Sequence, residues 1–164
     1  MKKIIISSLL CVMCGASLAS EWVYIGKQYG GGFAVRVDNI SRTNEFARFQ
    51  FAAVYEQPRP SPKGPIDFSI FGMEANCLLG TSRYYGKDFH YSKGKVVLEQ
   101  DVPPDSFTPA IEPLDVNTIR AACRHKHDSS SVLVYGSSND LVKGIQSIMK
   151  RGNRSDSSVQ TKPF

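Results

Sequence analysis

From Trp22 to Glu99 the apolar side chains recur mostly with a period of two, and beyond Asp115 the period lengthens to that of helices. Trp22–Gly26 reads as a first strand, ended by Tyr29 and the Gly30-Gly31-Gly32 turn. Phe33–Asp38 then alternates, with Phe33, Val35 and Val37 against Arg36 and Asp38, so the two segments predict a hairpin. Asn39–Asn44 is polar turn material. Phe46–Gln57 is a long strand with Phe49, Phe51, Ala53 and Tyr55 on its apolar side. Pro58, Pro60, Pro62 and Pro65 predict a stiff, exposed connector, because proline cannot donate to a ladder.

Ile66–Cys77 is the central strand. Ile66, Phe68 and Ile70 share one face, and Phe71, Met73, Ala75 and Cys77 the other. The change of phase at Ile70-Phe71 is met either by a β-bulge near Gly72 or by burial of both faces. Leu78–Tyr85 continues as strand interrupted by Gly80, and Gly86-Lys87 is expected to turn the chain. Asp88–Tyr91 and Lys95–Glu99 form a further hairpin about Ser92-Lys93-Gly94.

Asp101–Pro113 is proline-interrupted coil, with Phe107 and Ile111 expected to pin it to the core. Asp115 is placed to cap a short helix, Val116–Arg124, whose inner side carries Ile119, Ala122 and Cys123. Val132–Tyr135 is a brief strand candidate. Ser138 or Asn139 caps a last amphipathic helix in which Leu141, Val142, Ile145, Ile148 and Met149 share a face. The composition of 152–164 predicts a disordered tail. Together these elements predict an α+β fold. It is an antiparallel sheet of about five to six strands, a C-terminal helix tied on by one disulfide, and an extra C-terminal amphipathic helix.

Lys2 and Lys3 precede an apolar run, Ile4–Leu18, and Ser17-Leu18-Ala19 has small residues at the positions a signal peptidase reads. Residues 1–19 are therefore expected to be a signal peptide, too short for the roughly 20 apolar residues of a bilayer span. The domain is expected over 20–151, exported to the periplasm, with the cell surface or the medium as the alternative destinations. No later stretch reads as a membrane span. Cys11 and Cys14 leave with the leader, so Cys77 and Cys123 remain to pair. Closing a loop of roughly 46 residues stabilises by about 4 kcal/mol in the chain-entropy picture. Two free buried thiols are the alternative, and two thiols alone do not complete a zinc site.

The formal charge of +5 is unevenly placed. Lys2 and Lys3 lie in the leader, and past Met149 come Lys150, Arg151, Arg154 and Lys162 against Asp156 alone. Ser20–Met149 then has equal numbers of basic and acidic residues, which gives no case for nucleic-acid binding. The triple glycine precedes no helix and reads as a turn rather than a phosphate cradle. His125 and His127 flank Lys126, a poor setting for a cation, and His90 has no free thiol to serve. Glu74 lies among apolar neighbours without a second carboxylate opposite, and no Gly-x-Ser-x-Gly elbow occurs. No catalytic residue, cofactor or metal is assigned.

Trp22, Tyr24, Tyr29, Tyr84, Tyr85, Phe89 and Tyr91 exceed what a small core requires. They form either a partner-binding patch or a cross-strand ladder that stabilises the sheet. Candidate partner contacts are Arg83, Tyr84, Tyr85, Lys87 and Tyr91, with Arg59 and Lys63 in the proline connector.

One ordered set of motifs runs through the chain. It comprises Trp22-Val23, Val37-Asp38-Asn39-Ile40-Ser41-Arg42, the Phe49-rich strand, Asn76-Cys77, Tyr84-Tyr85-Gly86, and Phe107…Ile111…Pro113…Ile119…Cys123. From Trp22 to about Cys123 it resembles the surface-adhesin protein E family, small exported domains of Gram-negative bacteria. The resemblance implies an antiparallel sheet with a C-terminal helix clamped by the disulfide. It also implies adhesion to host matrix or serum proteins. The best-known member is lipid-anchored, whereas this chain lacks a lipidation cysteine, and His125–Arg151 extends past the usual family end. The expected function is an exported, non-enzymatic, adhesin-like protein contacting host or envelope macromolecules. The alternative is a soluble periplasmic immunity or inhibitor protein that neutralises a secreted effector.

Overall fold

The computed structural model describes residues 19–124 and 132–156, with side chains to 152. Residues 1–18 of the leader, the His125-His127 segment and positions 157–164 of the tail lie outside these residues. Strands β1 (Ser20–Gln28) and β2 (Gly31–Arg36) are joined by Tyr29-Gly30, whose φ angles of 49° and 71° suit a type I′ turn. Gly31 and Gly32 are therefore strand residues rather than turn residues. β3 (Ser41–Arg42), β4 (Phe46–Arg59) and β5 (Ile66–Asn76) follow, then β6 (Thr81–Ser92) and β7 (Lys95–Val102). The chain closes with β8 (Thr108–Pro109), α1 (Pro113–Cys123), β9 (Leu133–Gly136) and α2 (Ser138–Asp156).

The described strands form one antiparallel sheet of nine, in the order β7-β6-β5-β4-β2-β1-β9, with β3 and β8 as two-residue additions on β4 and β6. The α+β class holds, but the strand number exceeds the expected five to six. Two-residue strands carry no period for the sequence to show.

Each helix covers one face. Leu114, Ile119, Ala121 and Ala122 of α1 pack with Phe33, Val35, Phe49, Phe51 and Ala75. Leu141, Ile145 and Met149 of α2 pack on the opposite face with Trp22, Ala34, Val54, Phe68 and Ile70. Residues of β5 enter both clusters. The phase change at Ile70-Phe71 thus reflects two covered faces, and the β4–β5 register runs unbroken from Phe46↔Asn76 to Val54↔Phe68. The bulge belongs to β6, where Tyr85-Gly86-Lys87 stand opposite Gly72. Gly86-Lys87 is accordingly a bulge inside one strand and does not turn the chain.

The disulfide joins Cys77, just past β5, to Cys123, the last residue of α1, with Cα atoms 5.7 Å apart. Other expectations change in detail. α1 begins at Pro113 behind Glu112, so Asp115 lies in its first turn and is not the cap. Ser137 caps α2: its hydroxyl donates to Asp140 Oδ2 at 2.7 Å while its backbone amide bonds the same oxygen at 2.9 Å. α2 continues to Asp156, past the position where composition starts a tail. Ile111 is exposed, not pinned to the core.

Candidate functional site

α2 covers only part of its sheet face. Beyond it, a row of charged side chains crosses three strands, because Arg48, Glu74 and Arg83 are direct neighbours in register on β4, β5 and β6. Arg48 Nε donates to Glu74 Oε1 at 2.7 Å, and Arg83 Nε donates to Glu74 Oε2 at 2.8 Å. Glu74 is buried and the arginines line its open sides. Burial alone would raise its pKa, but the hydrogen bonds from Arg48 and then Arg83 outweigh it and hold the carboxyl below its ordinary value. The cations sit over aromatic rings: Arg48 lies 4.4 Å over Tyr85 and Arg83 lies 4.3 Å over Phe107. Phe107 in turn packs on Phe46, 5.8 Å between centroids. The row continues through Gln50, which accepts from Arg36 at 3.0 Å, and Arg36 also bonds Asp38.

Of the sequence candidates, this surface brings together Arg83 and Tyr85. Tyr84 points to the opposite face and meets Phe71 edge-on, as alternation requires. Lys87 is tied to Glu99 at the bulge. Tyr91 stacks on Phe68 at 4.3 Å, near α2. Arg59 is the last residue of β4, paired with Ile66 and stacked 4.2 Å over Tyr55, so it belongs to the strand rather than the connector. Lys63 sits in the exposed connector, away from the row. Sequence reasoning missed Arg48, Gln50 and Phe46. Their signal is a polar phase in β4 that meets the polar phases of β5 and β6 only when the three strands are in register.

The other face holds a buried polar chain. Tyr55 donates to Ser69 Oγ at 3.1 Å, and Ser69 Oγ lies 2.7 Å from His90 Nδ1. Ser69 has no exposed surface, so its hydroxyl is out of a substrate's reach. Asp88 Oδ1 is buried without a partner, and burial raises the pKa of its carboxyl, partly offset by His90 and the Gly72 amide. A cleft of about 300 Å³ beside α2 is lined by Phe68, Asp67, Lys93, Asn139, Val142 and Lys143, of mixed charge. Among the described residues, no cluster of His, Cys, Asp and Glu is arranged to hold a metal ion.

No known protein family, curated protein or solved structure matches this chain. Among the described residues, no helix is long and apolar enough to cross a membrane.

Proposed function

We propose that this chain is an exported, non-enzymatic binding protein, adhesin-like, and that it holds a macromolecular partner on the sheet face around Arg48 and Tyr85. The observation that carries this is the Arg48–Glu74–Arg83 row stacked on Tyr85 and Phe107. Glu74 holds both guanidinium groups in place before any partner arrives, so little side-chain freedom remains to be lost on binding. Arg48 engages Glu74 through Nε while its side chain stays half exposed, so the guanidinium remains open to a partner. Arginine and tyrosine in this density are the residue types that dominate protein interfaces. The reading agrees with what the resemblance of the motif order to the surface-adhesin protein E family implies.

The test is retention of host matrix and serum proteins on the immobilised protein. Wild type is expected to retain a partner, Arg48→Ala/Tyr85→Ala to lose it by tenfold or more in affinity, and Lys63→Ala to keep it. Equal retention by all three, or retention by none, removes the assignment of this surface.

A further inference from the structure

The turn that follows β5 presents two leucines outward. Leu78 and Leu79 are 71% and 74% exposed, and Ile111 is 83% exposed. Ala110 N donates to Gly80 O at 3.1 Å, and Thr81 pairs with Pro109, which sets Ile111 alongside the same turn. Three aliphatic side chains thus share one tip. No charged residue occurs from Ala75 to Ser82 or from Phe107 to Ile111.

We propose that this tip docks on a lipid bilayer, with Leu78, Leu79 and Ile111 entering the boundary between headgroups and acyl chains. Three properties of the tip select that occupant. The first is the state of its backbone. Cys77 N donates to Glu45 O at 2.7 Å, Leu78 N and Leu79 N both donate to Asn76 Oδ1 at 3.0 Å, and Gly80 N donates to Asn76 O at 3.0 Å. Each amide from Cys77 to Gly80 thus has an acceptor within the protein, so the leucines enter a water-poor layer without stranding a backbone N–H. The second is rigidity. Asn76 is buried and Cys77 is tied to α1 by the disulfide, so the leucines are held out rather than free to fold back. The third is residue type. Protein hot spots favour Trp, Tyr and Arg and are poor in Leu, whereas leucine is common on faces that lie in a membrane interface.

Glu45 and Glu112 border the tip, but the three side chains that enter are aliphatic, so the attachment needs no anionic lipid and is not strengthened at low salt. This separates it from the exposed Lys143, Lys150 and Arg151 of α2, which would attach only to anionic lipid and only at low salt.

Flotation of the purified protein with phosphatidylcholine vesicles tests the proposal, with and without added phosphatidylglycerol, at low and high salt. All variants share one amino terminus, so any contribution of the apolar segment Ile4–Leu18 is common to them. Wild type is expected to float with phosphatidylcholine alone, equally at both salt levels. Leu78→Ser/Leu79→Ser should lower the partition by about a hundredfold, and Ile111→Ser by about tenfold. Unchanged circular dichroism and an intact disulfide would show that both variants remain folded. The proposal is overturned if wild type fails to float, if the leucine variant floats undiminished, or if flotation requires phosphatidylglycerol and disappears in salt. Loss of a protein partner by the leucine variant, without vesicle binding by wild type, would instead assign the tip to a protein.

Discussion

Gly72 shows how one missing side chain shapes a strand. A Cβ there would run into the carbonyl oxygen of Tyr85, where the bulged backbone of β6 comes closest. Gly86, with φ of 91°, takes up the bulge itself. Gly72→Ala is expected to destabilise by about 1–3 kcal/mol, read as a lower urea midpoint with unchanged slope. Glu74 gives a pH signature. Its carboxyl is held below the ordinary value in the fold, so its contribution is present above the unfolded-state pKa, near 4.5. The contribution is lost as pH falls through the folded value. Glu74→Gln should therefore be about 1–3 kcal/mol less stable than wild type at neutral pH, a gap that closes on acidification below roughly pH 4. Urea titrations across that range check it. Arg48 was invisible as a site residue because an exposed arginine in the polar phase of a strand carries no signal by itself. Its meaning comes from Glu74 and Tyr85, on other strands.

At the scale of elements, periodicity located β1, β2, β4, β5 and the apolar face of α2 well, since each has several residues in one phase. It failed where partners decide the outcome. A glycine with positive φ serves a turn or a bulge equally, so Gly86-Lys87 reads as a turn until β5 is seen to offer Gly72. The phase change in β5 invites a bulge until a helix is seen on each side of it. The disulfide was legible because the leader hypothesis leaves Cys77 and Cys123 as the only pair to form. It fastens α1, an eleven-residue helix without a side-chain cap, to the end of the central strand. Cys77→Ala/Cys123→Ala is expected to lose about 4 kcal/mol, with thermal unfolding of the reduced wild type falling alongside it. If the double variant melts like the oxidised protein, α1 is held by packing alone.

For the whole molecule, the helices leave different openings. The end carrying the disulfide combines the Arg48 row, Phe46 and Phe107 with the leucine tip, while Lys63 lies at the opposite end of the β4–β5 pair. Composition hinted at this through surplus tyrosines but could not divide them between faces, since that needs the register of β6. The topology also has a temporal side. β1 is flanked by β2 on one edge and by β9 on the other, and Trp22 is covered by α2. Nearly the entire polypeptide must emerge before its first strand is enclosed. A nascent or truncated chain consequently displays a tryptophan-bearing sheet face and a bare strand edge, a species prone to aggregate and one for which holding by a chaperone is of value.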